Sequence, residues 1–177
     1  MSLIEQVPRI ETRRLVLRAP QAADIGRIAS LADDFEIARM TACMPHPYGL
    51  ADAEAFVARA QAIDPAREAV FVIELEDEGA IGAIGLHPCG SFAPEIGYWI
   101  GRPYWGRGLA SEAAGAALDW AGGAWSRRAV FAGYFTDNPA SGRVLERAGF
   151  LHTGEVQHRH SRARGGPAPT RMMVWLA

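Results

Sequence analysis

The sequence predicts a mixed α/β fold in which one sheet carries helices on both faces. Three observations carry that reading. Apolar residues follow helical spacing up to about residue 62 and then strand-like runs from residue 69. Asp77-Glu78-Gly79 joins two of those runs as the turn of a hairpin. A strand over 94–100 enters a glycine-rich turn and leaves it as an alanine-rich helix, the signature of a β–turn–α unit.

In chain order, Arg13–Arg18 alternates Leu15 and Leu17 against polar neighbours and reads as a strand stopped by Pro20. From Asp24, the spacing of Ile25, Ile28, Leu31 and Phe35 predicts a helix, ended by the break Met44-Pro45-His46-Pro47-Tyr48-Gly49. Asp52–Ala62 reads as a second helix around Phe56 and Val57. Strands follow at Ala69–Glu76, Ala80–Leu86 and Pro94–Ile100. Leu109, Ala113, Ala117 and Trp120 form one stripe of a helix running to about Ala124, and Arg128–Thr136 is the next strand. Asn138 is placed as an N-cap with Pro139 in the first helical position, where its missing N–H costs nothing. That helix stops at Gly149, a natural C-terminal residue. Phe150–Val156 and Arg171–Leu176 read as two last strands joined by a flexible loop, Arg162–Pro169. The predicted order is β-α-α-β-β-β-α-β-α-β-β. No repeat or linker interrupts it, so one domain over 1–177 is expected.

Composition removes several function classes. All 18 cationic residues are arginine. Without lysine there is no Walker-type phosphate loop and no pyridoxal Schiff base. Arginine grips phosphate well, but 20 acidic residues, a net charge of −2 and a pI near 6.2 argue against a nucleic-acid partner. Hydrophobic content of 49% describes a globular chain, and no apolar stretch approaches a membrane span. The N-terminal segment lacks the apolar run of a signal peptide. Cys43 and Cys89 lack paired spacing, so neither a disulfide framework nor a zinc site is indicated, and a cytoplasmic location is expected. His158 and His160 lie two apart with no third ligand spaced to make a metal site.

The segment Gly101–Ala110 is the most informative. Glycines there free the backbone to present N–H groups, and the helix that follows adds its positive N-terminal dipole, which together suit a pyrophosphate. Arg107 stands where a guanidinium could assist. A dinucleotide fingerprint would require a third glycine where Ser111 stands. A purely structural turn is the other reading.

In company, these blocks carry a resemblance. ETRRLVLR at 11–18, EIGYWIGRPYWGRGLASEA from Glu95 to Ala113, and DNPASGRVLERAGF from Asp137 to Phe150 resemble, in the same order, the GNAT acetyltransferase superfamily in its ribosomal-protein (RimJ/RimL-like) branch. Trp105 departs from the Gln/Arg that opens the wider superfamily's loop pattern. The resemblance implies a GNAT-type acyl-CoA N-acyltransferase fold with acetyl-CoA held between two splayed strands, here Glu95–Ile100 and Arg128–Thr136. It places the pyrophosphate on the backbone N–H groups of Gly106, Arg107, Gly108, Leu109 and Ala110, with Trp105 a further cofactor-binding residue at the start of that turn. It places the pantetheine arm along Trp99 and Ile100, with Asn138 beside it and Ser141 near the sulfur.

Acetyl transfer needs positioning, a base, an oxyanion site and a proton for the thiolate. Glu95 is the first candidate for the base; Tyr134 and Ser141 are candidates for the thiolate proton. His46, Tyr48, His87 and Trp99 are candidates for the acceptor pocket. The expected partners are acetyl-CoA and an amine acceptor, either a protein N-terminus or a small amine, with no metal. A non-catalytic acyl-CoA-binding module of the same fold is the alternative. The apolar strand Met172–Leu176 is compatible with a monomer's core or a homodimer's edge.

Overall fold

The computed structural model describes residues 7–90 and 93–177; the leader reading above rests partly on residues 1–6, outside that set. In chain order the elements are β1 (Ile10–Glu11), β2 (Leu15–Arg18), α1 (Ile25–Ala32), α2 (Phe35–Ala38), α3 (Leu50–Gln61), β3 (Ala69–Leu75) and β4 (Gly79–Cys89). There follow β5 (Ala93–Ile100), α4 (Leu109–Gly122), β6 (Ala129–Phe135), α5 (Pro139–Arg147), β7 (Leu151–Ser161) and β8 (Gly166–Leu176). The eight strands form one sheet in the order β1-β2-β3-β4-β5-β6-β8-β7. The mixed α/β class predicted from the sequence is what is seen.

β3 explains why both faces are covered. Its residues alternate, and both sets are apolar: Phe71 and Ile73 join Leu109, Ala113, Ala117 and Leu118 of α4, while Val72 joins Ile28 and Ala32 of α1 and Ala53 and Val57 of α3. A strand buried on both sides reads as one continuous apolar run rather than an alternation. Each large side chain in this core contributes about 1.5–3 kcal/mol by burial.

All strand pairs are antiparallel except β5 with β6, which run parallel and pair only at Glu95↔Phe131 and Ile96↔Ala132. Beyond Ile96, β5 stays with β4 as far as Gly82↔Ile100. β6 stays with β8 as far as Phe135↔Thr170. The two strands are committed to outer partners that diverge, so they fork.

Several boundaries differ from expectation. The helix predicted from Asp24 through Phe35 breaks at Asp33–Asp34. Asp34 accepts a hydrogen bond from the Glu36 N–H at 3.0 Å and so caps α2, while Asp33 accepts from the Tyr48 N–H at 3.0 Å. The predicted flexible loop Arg162–Pro169 is a four-residue turn over 162–165, and β8 already starts at Gly166. Pro167 and Pro169 lie opposite His160 and His158 of β7, and Pro169 needs no N–H on its other side, where its carbonyl accepts from the Thr136 N–H at 2.9 Å just past β6. Met172–Leu176 lies inside the sheet between β6 and β7, so this strand is not an edge.

One buried charge pair ties β2 to the rest. Asp24 accepts from both Arg18 Nη atoms at 2.8 Å and from the Gln21 N–H at 2.8 Å, and Arg18 Nε reaches Glu74 at 2.5 Å. Burial by itself pushes the Asp24 carboxyl up, but the Arg18 and Gln21 hydrogen bonds outweigh it and hold it below the usual range. Asp24→Asn is expected to cost about 2 kcal/mol in urea unfolding, since it removes one of the two carboxylates paired with the buried Arg18 guanidinium and leaves Glu74 alone to balance it. Because the folded carboxyl is the stronger acid, wild-type protein holds that stability above about pH 4 and loses it as pH falls further. The gap between variant and wild type should narrow there.

Candidate active site

The fork opens a cleft of about 570 Å³. Its walls are Tyr98–Ile100 of β5, the first turn of α4, and Asn138–Ser141 with Arg143, Val144 and Arg147 of α5. A smaller cavity of about 140 Å³ lies at the closed end of the fork, lined by Glu95, Ile96, Gly133, Phe135, Arg159 and Thr170, among others. Met40, Thr41, Tyr98 and Ser141 line both. The two spaces therefore meet at the Tyr98–Ser141 contact.

The open edge of β5 follows from its pairing. The Gly101 N–H donates to Ile81 O of β4 at 2.8 Å. By strand alternation, the backbone groups of Tyr98 and Ile100 point the other way, into the fork. The Trp105 indole N–H donates to Ile100 O at 2.6 Å. The residue that departs from the superfamily pattern thus anchors the turn to the strand end.

At the start of α4, Gly108 adopts φ 74, a left-handed value that any side chain would strain. It directs the turn so that the first N–H groups of a 14-residue helix face the cleft without intrahelical partners. Glu112 in that first turn would repel an anion, but it is neutralised from behind. Arg14 donates to it through Nε at 2.7 Å and through its backbone N–H at 2.9 Å, Thr12 donates at 2.7 Å, and Arg14 also holds Arg107 O at 3.0 Å. Burial pushes the Glu112 carboxyl up; the Thr12 and Arg14 hydrogen bonds overcome this and hold it low. Ser111, which lines the cleft, has its Oγ buried with no hydrogen-bond partner among the described residues. An orphaned hydroxyl beside free helical N–H groups fits an anionic group such as a pyrophosphate.

The cationic side chains differ from the expected one. Arg107 lies over the Tyr104 ring, 5.9 Å from its centroid, and is not among the cleft-lining residues. Arg143 and Arg147 line the cleft instead. Their four-residue spacing on a predicted helix was a legible signal of a shared face. Trp99, Ile100, Trp105, Gly106, Gly108, Leu109, Ala110, Asn138 and Ser141 all line it as well.

At the meeting point, the Tyr98 hydroxyl and Ser141 Oγ are 2.8 Å apart. Asn138 accepts from the Ser141 N–H at 3.2 Å, a capping bond that fixes the first turn of α5. Burial pushes the Tyr98 phenol up to about 12, against the pull of Ser141, so it stays protonated at neutral pH. Tyr98 was not singled out in the sequence, where it is one aromatic among alternating strand residues. Tyr134, which was, lines neither cavity: it packs beneath α5, where a Cβ on Gly142 would stand 2.8 Å from its Cζ.

The remaining candidates separate. Glu95 lines the smaller cavity, ion-paired with Arg159 of β7, and accepts the Cys89 thiol at 3.4 Å. His87 is its neighbour across β4–β5 but turns to Glu68, 2.6 Å away. Tyr48 is core, packed with Ile28 and Val57, and burial pushes its phenol up to about 12. His46 sits on the Phe35 ring, 5.5 Å between centroids, with Nδ1 3.4 Å from Asp33. Neither lines either of the two cavities described above, because Asp33 draws that part of the loop away; Met40–Ala42 supply the lining in their place. Those residues are pinned by the β7–β8 turn: Arg164 donates to Arg39 O at 2.6 Å and to Asp137 at 2.9 Å, and Ser161 donates to Thr41 O at 3.0 Å. Among the described residues, no helix is long and apolar enough to cross a membrane, and no three His, Cys, Asp or Glu side chains are placed to hold a metal ion.

The family model described as "Acetyltransferase (GNAT) domain" matches residues 14–151. The uncharacterized N-acetyltransferase YoaA of Bacillus subtilis (strain 168) is 30% identical over 175 residues, covering 93% of this chain and 94% of that protein. Among solved structures, Mycobacterium smegmatis RimJ in complex with CoA-disulfide is similar with a TM-score of 0.82 at 20% identity, covering 97% of this chain and 87% of that one. Vibrio cholerae spermidine N-acetyltransferase in complex with CoA and spermine gives 0.76 at 22% identity, with 93% and 96% covered. At these identities the two structures speak to the fold.

Gly142→Ala tests the packing of Tyr134. Alanine is the better helix former by about 1 kcal/mol, yet here its Cβ meets the Tyr134 ring. The variant is expected to be destabilised by about 1 kcal/mol in denaturant unfolding. In a Tyr134→Ala background the same change should turn stabilising.

Proposed function

The chain belongs to the GNAT acetyltransferase family, and from that premise we propose that it transfers acetyl from acetyl-CoA to a primary amine by direct attack in a ternary complex, the acceptor being a protein N-terminus or a small amine. Membership makes it an N-acetyltransferase that uses acetyl-CoA. The observation that supports direct transfer is the meeting of two cavities at Tyr98 and Ser141. One is large enough for an elongated cofactor and the other suits a small amine-bearing group. We take residues 1–177 as one acetyltransferase domain.

In this reading the backbone N–H groups from Gly106 to Ala110 and the Ser111 hydroxyl hold the pyrophosphate, with Arg143 and Arg147 alongside. The open backbone groups of Tyr98 and the open N–H of Ile100 take the pantetheine arm as an added strand, beside Trp99 and Asn138. Acetyl-CoA supplies the thioester. A nitrogen–carbon bond forms from the amine to the acetyl carbon and the carbon–sulfur bond breaks. Glu95 receives the amine proton, and Ser141, hydrogen-bonded to Tyr98, gives one to the departing thiolate. Tyr98 replaces Tyr134 in that role, because it touches Ser141.

Thermal shift with acetyl-CoA, followed by thiol release over a panel of amines and N-terminal peptides, tests the whole reading. Stabilisation without turnover on any acceptor would instead mark a non-catalytic acyl-CoA-binding module. Gly108→Glu, which puts charge and bulk in the cradle, should stay folded by circular dichroism and lose the acetyl-CoA shift. Tyr98→Phe should lower kcat about tenfold or more with little change in KM for acetyl-CoA. Glu95→Gln should remove the acidic limb of the pH–rate profile; a profile that keeps its shape excludes Glu95 as the base.

A further inference from the structure

The smaller cavity carries information about its occupant. Glu95 and Arg159 are the charged residues that line it, and they are paired with each other. The rest of the lining is apolar or uncharged: Ile96, Phe135, Leu145, Thr41 and Thr170 among others. Their side chains are 22% and 28% exposed, so the pair is partly desolvated and neither charge is well served by water once its partner leaves. Arg159 comes from β7 and passes over Gly133 of β6 to reach Glu95 on β5. Each partner has a second anchor. Gln157 accepts from Arg159 Nε at 3.1 Å, and the Cys89 thiol donates to the other Glu95 oxygen at 3.4 Å. Both groups can therefore remain at the cavity wall when the bond between them opens.

An acceptor amine must come close to Glu95 in the reading proposed above, on which this inference rests. A simple alkylammonium would take Glu95 from Arg159 and leave two cations facing each other in a half-buried space. A peptide N-terminus offers only a neutral carbonyl to the displaced guanidinium. An amine that carries its own carboxylate one carbon away solves the problem: its ammonium pairs with Glu95, its carboxylate pairs with the Arg159 fork, and every charge keeps a counter-charge. The cavity's about 140 Å³ is well below the size usual for drug-like ligands and suits such a small molecule.

We propose that this cavity is an acceptor subsite for a free α-amino acid, which enters by exchanging partners with the Glu95–Arg159 ion pair. Arg159 is then a specificity-determining residue that reads the carboxylate.

The test is calorimetric titration of the CoA-saturated protein with a panel of α-amino acids, each alongside its carboxamide, its decarboxylated amine and a tetrapeptide beginning with the same residue. At least one amino acid should bind about 10- to 100-fold more tightly than its own amide and amine, the range expected for one charge-assisted pair. Arg159→Gln should abolish that ratio, and Arg159→Lys, which keeps the charge without the fork, should keep part of it. Both variants should retain the wild-type thermal shift with CoA, which shows that they are folded. Amides and amines binding as well as the acids, a ratio that survives Arg159→Gln, or no amino acid binding at all would overturn the proposal. Thiol release with acetyl-CoA separates the two readings. Turnover on amines regardless of a carboxylate refutes the amino-acid subsite and leaves the transferase. Amino-acid binding with the expected ratio but no thiol release does the reverse.

Discussion

Everything functional in this fold depends on a pairing that stops. β5 and β6 share two residue pairs and then part. The divergence is enforced from outside, because β4 holds β5 along its length and β8 holds β6. Closing the fork would sacrifice one of those antiparallel ladders, whereas opening it leaves unpaired on the β5 side the backbone groups of Tyr98 and the Ile100 N–H, the Ile100 carbonyl being taken by Trp105. A sheet that tolerates such an edge internally gains a slot bordered by hydrogen-bonding backbone. The helices that follow each splayed strand, α4 and α5, then both present their N-termini to that slot.

In the function proposed above, a lysine-free chain holds phosphate groups through helical N–H groups and the Ser111 hydroxyl, with Arg143 and Arg147 of the cleft wall alongside. Three other arginines have a different part. Arg14 neutralises Glu112 behind the cradle, so the carboxylate in the first turn of α4 does not oppose an anion. Arg164 ties Asp137 to the segment that covers the meeting of the two cavities. Arg159 holds the charge balance of the smaller cavity. In each case a planar fork joins elements far apart in the chain.

That division marks what the sequence made legible. The elements were readable because β3 is apolar on both faces, the 101–110 turn carries its glycines together, and Asn138-Pro139 caps a helix by local chemistry. The cradle was readable for the same reason, being built from one contiguous segment. The fork was not a property of any segment: it arose from strand order, and only the resemblance to a family anticipated it. Arg159 was invisible because it reaches Glu95 across two other strands. Tyr98 was passed over in favour of Tyr134 since both sit on strands and nothing local says which phenol faces α5's first turn. His46 and Tyr48 were assigned to an acceptor pocket from their loop; Asp33 and the core around Ile28 claim them instead. The loop expected over Arg162–Pro169 is shorter because Pro167 and Pro169 sit in β8, where a proline is tolerated when its missing N–H is not called on by a neighbouring strand.

The central claim is that the inner edge of β5 is an open strand edge completed by acetyl-CoA. Hydrogen–deuterium exchange resolved at Tyr98 and Ile100 tests it most directly. Both amides should exchange rapidly in the free protein, while those of Gly97 and Trp99, which face β4, are protected. Saturating acetyl-CoA should slow Tyr98 and Ile100 by about tenfold or more. Equal protection of all four amides without ligand, or unchanged exchange at Tyr98 and Ile100 with it, would contradict the account.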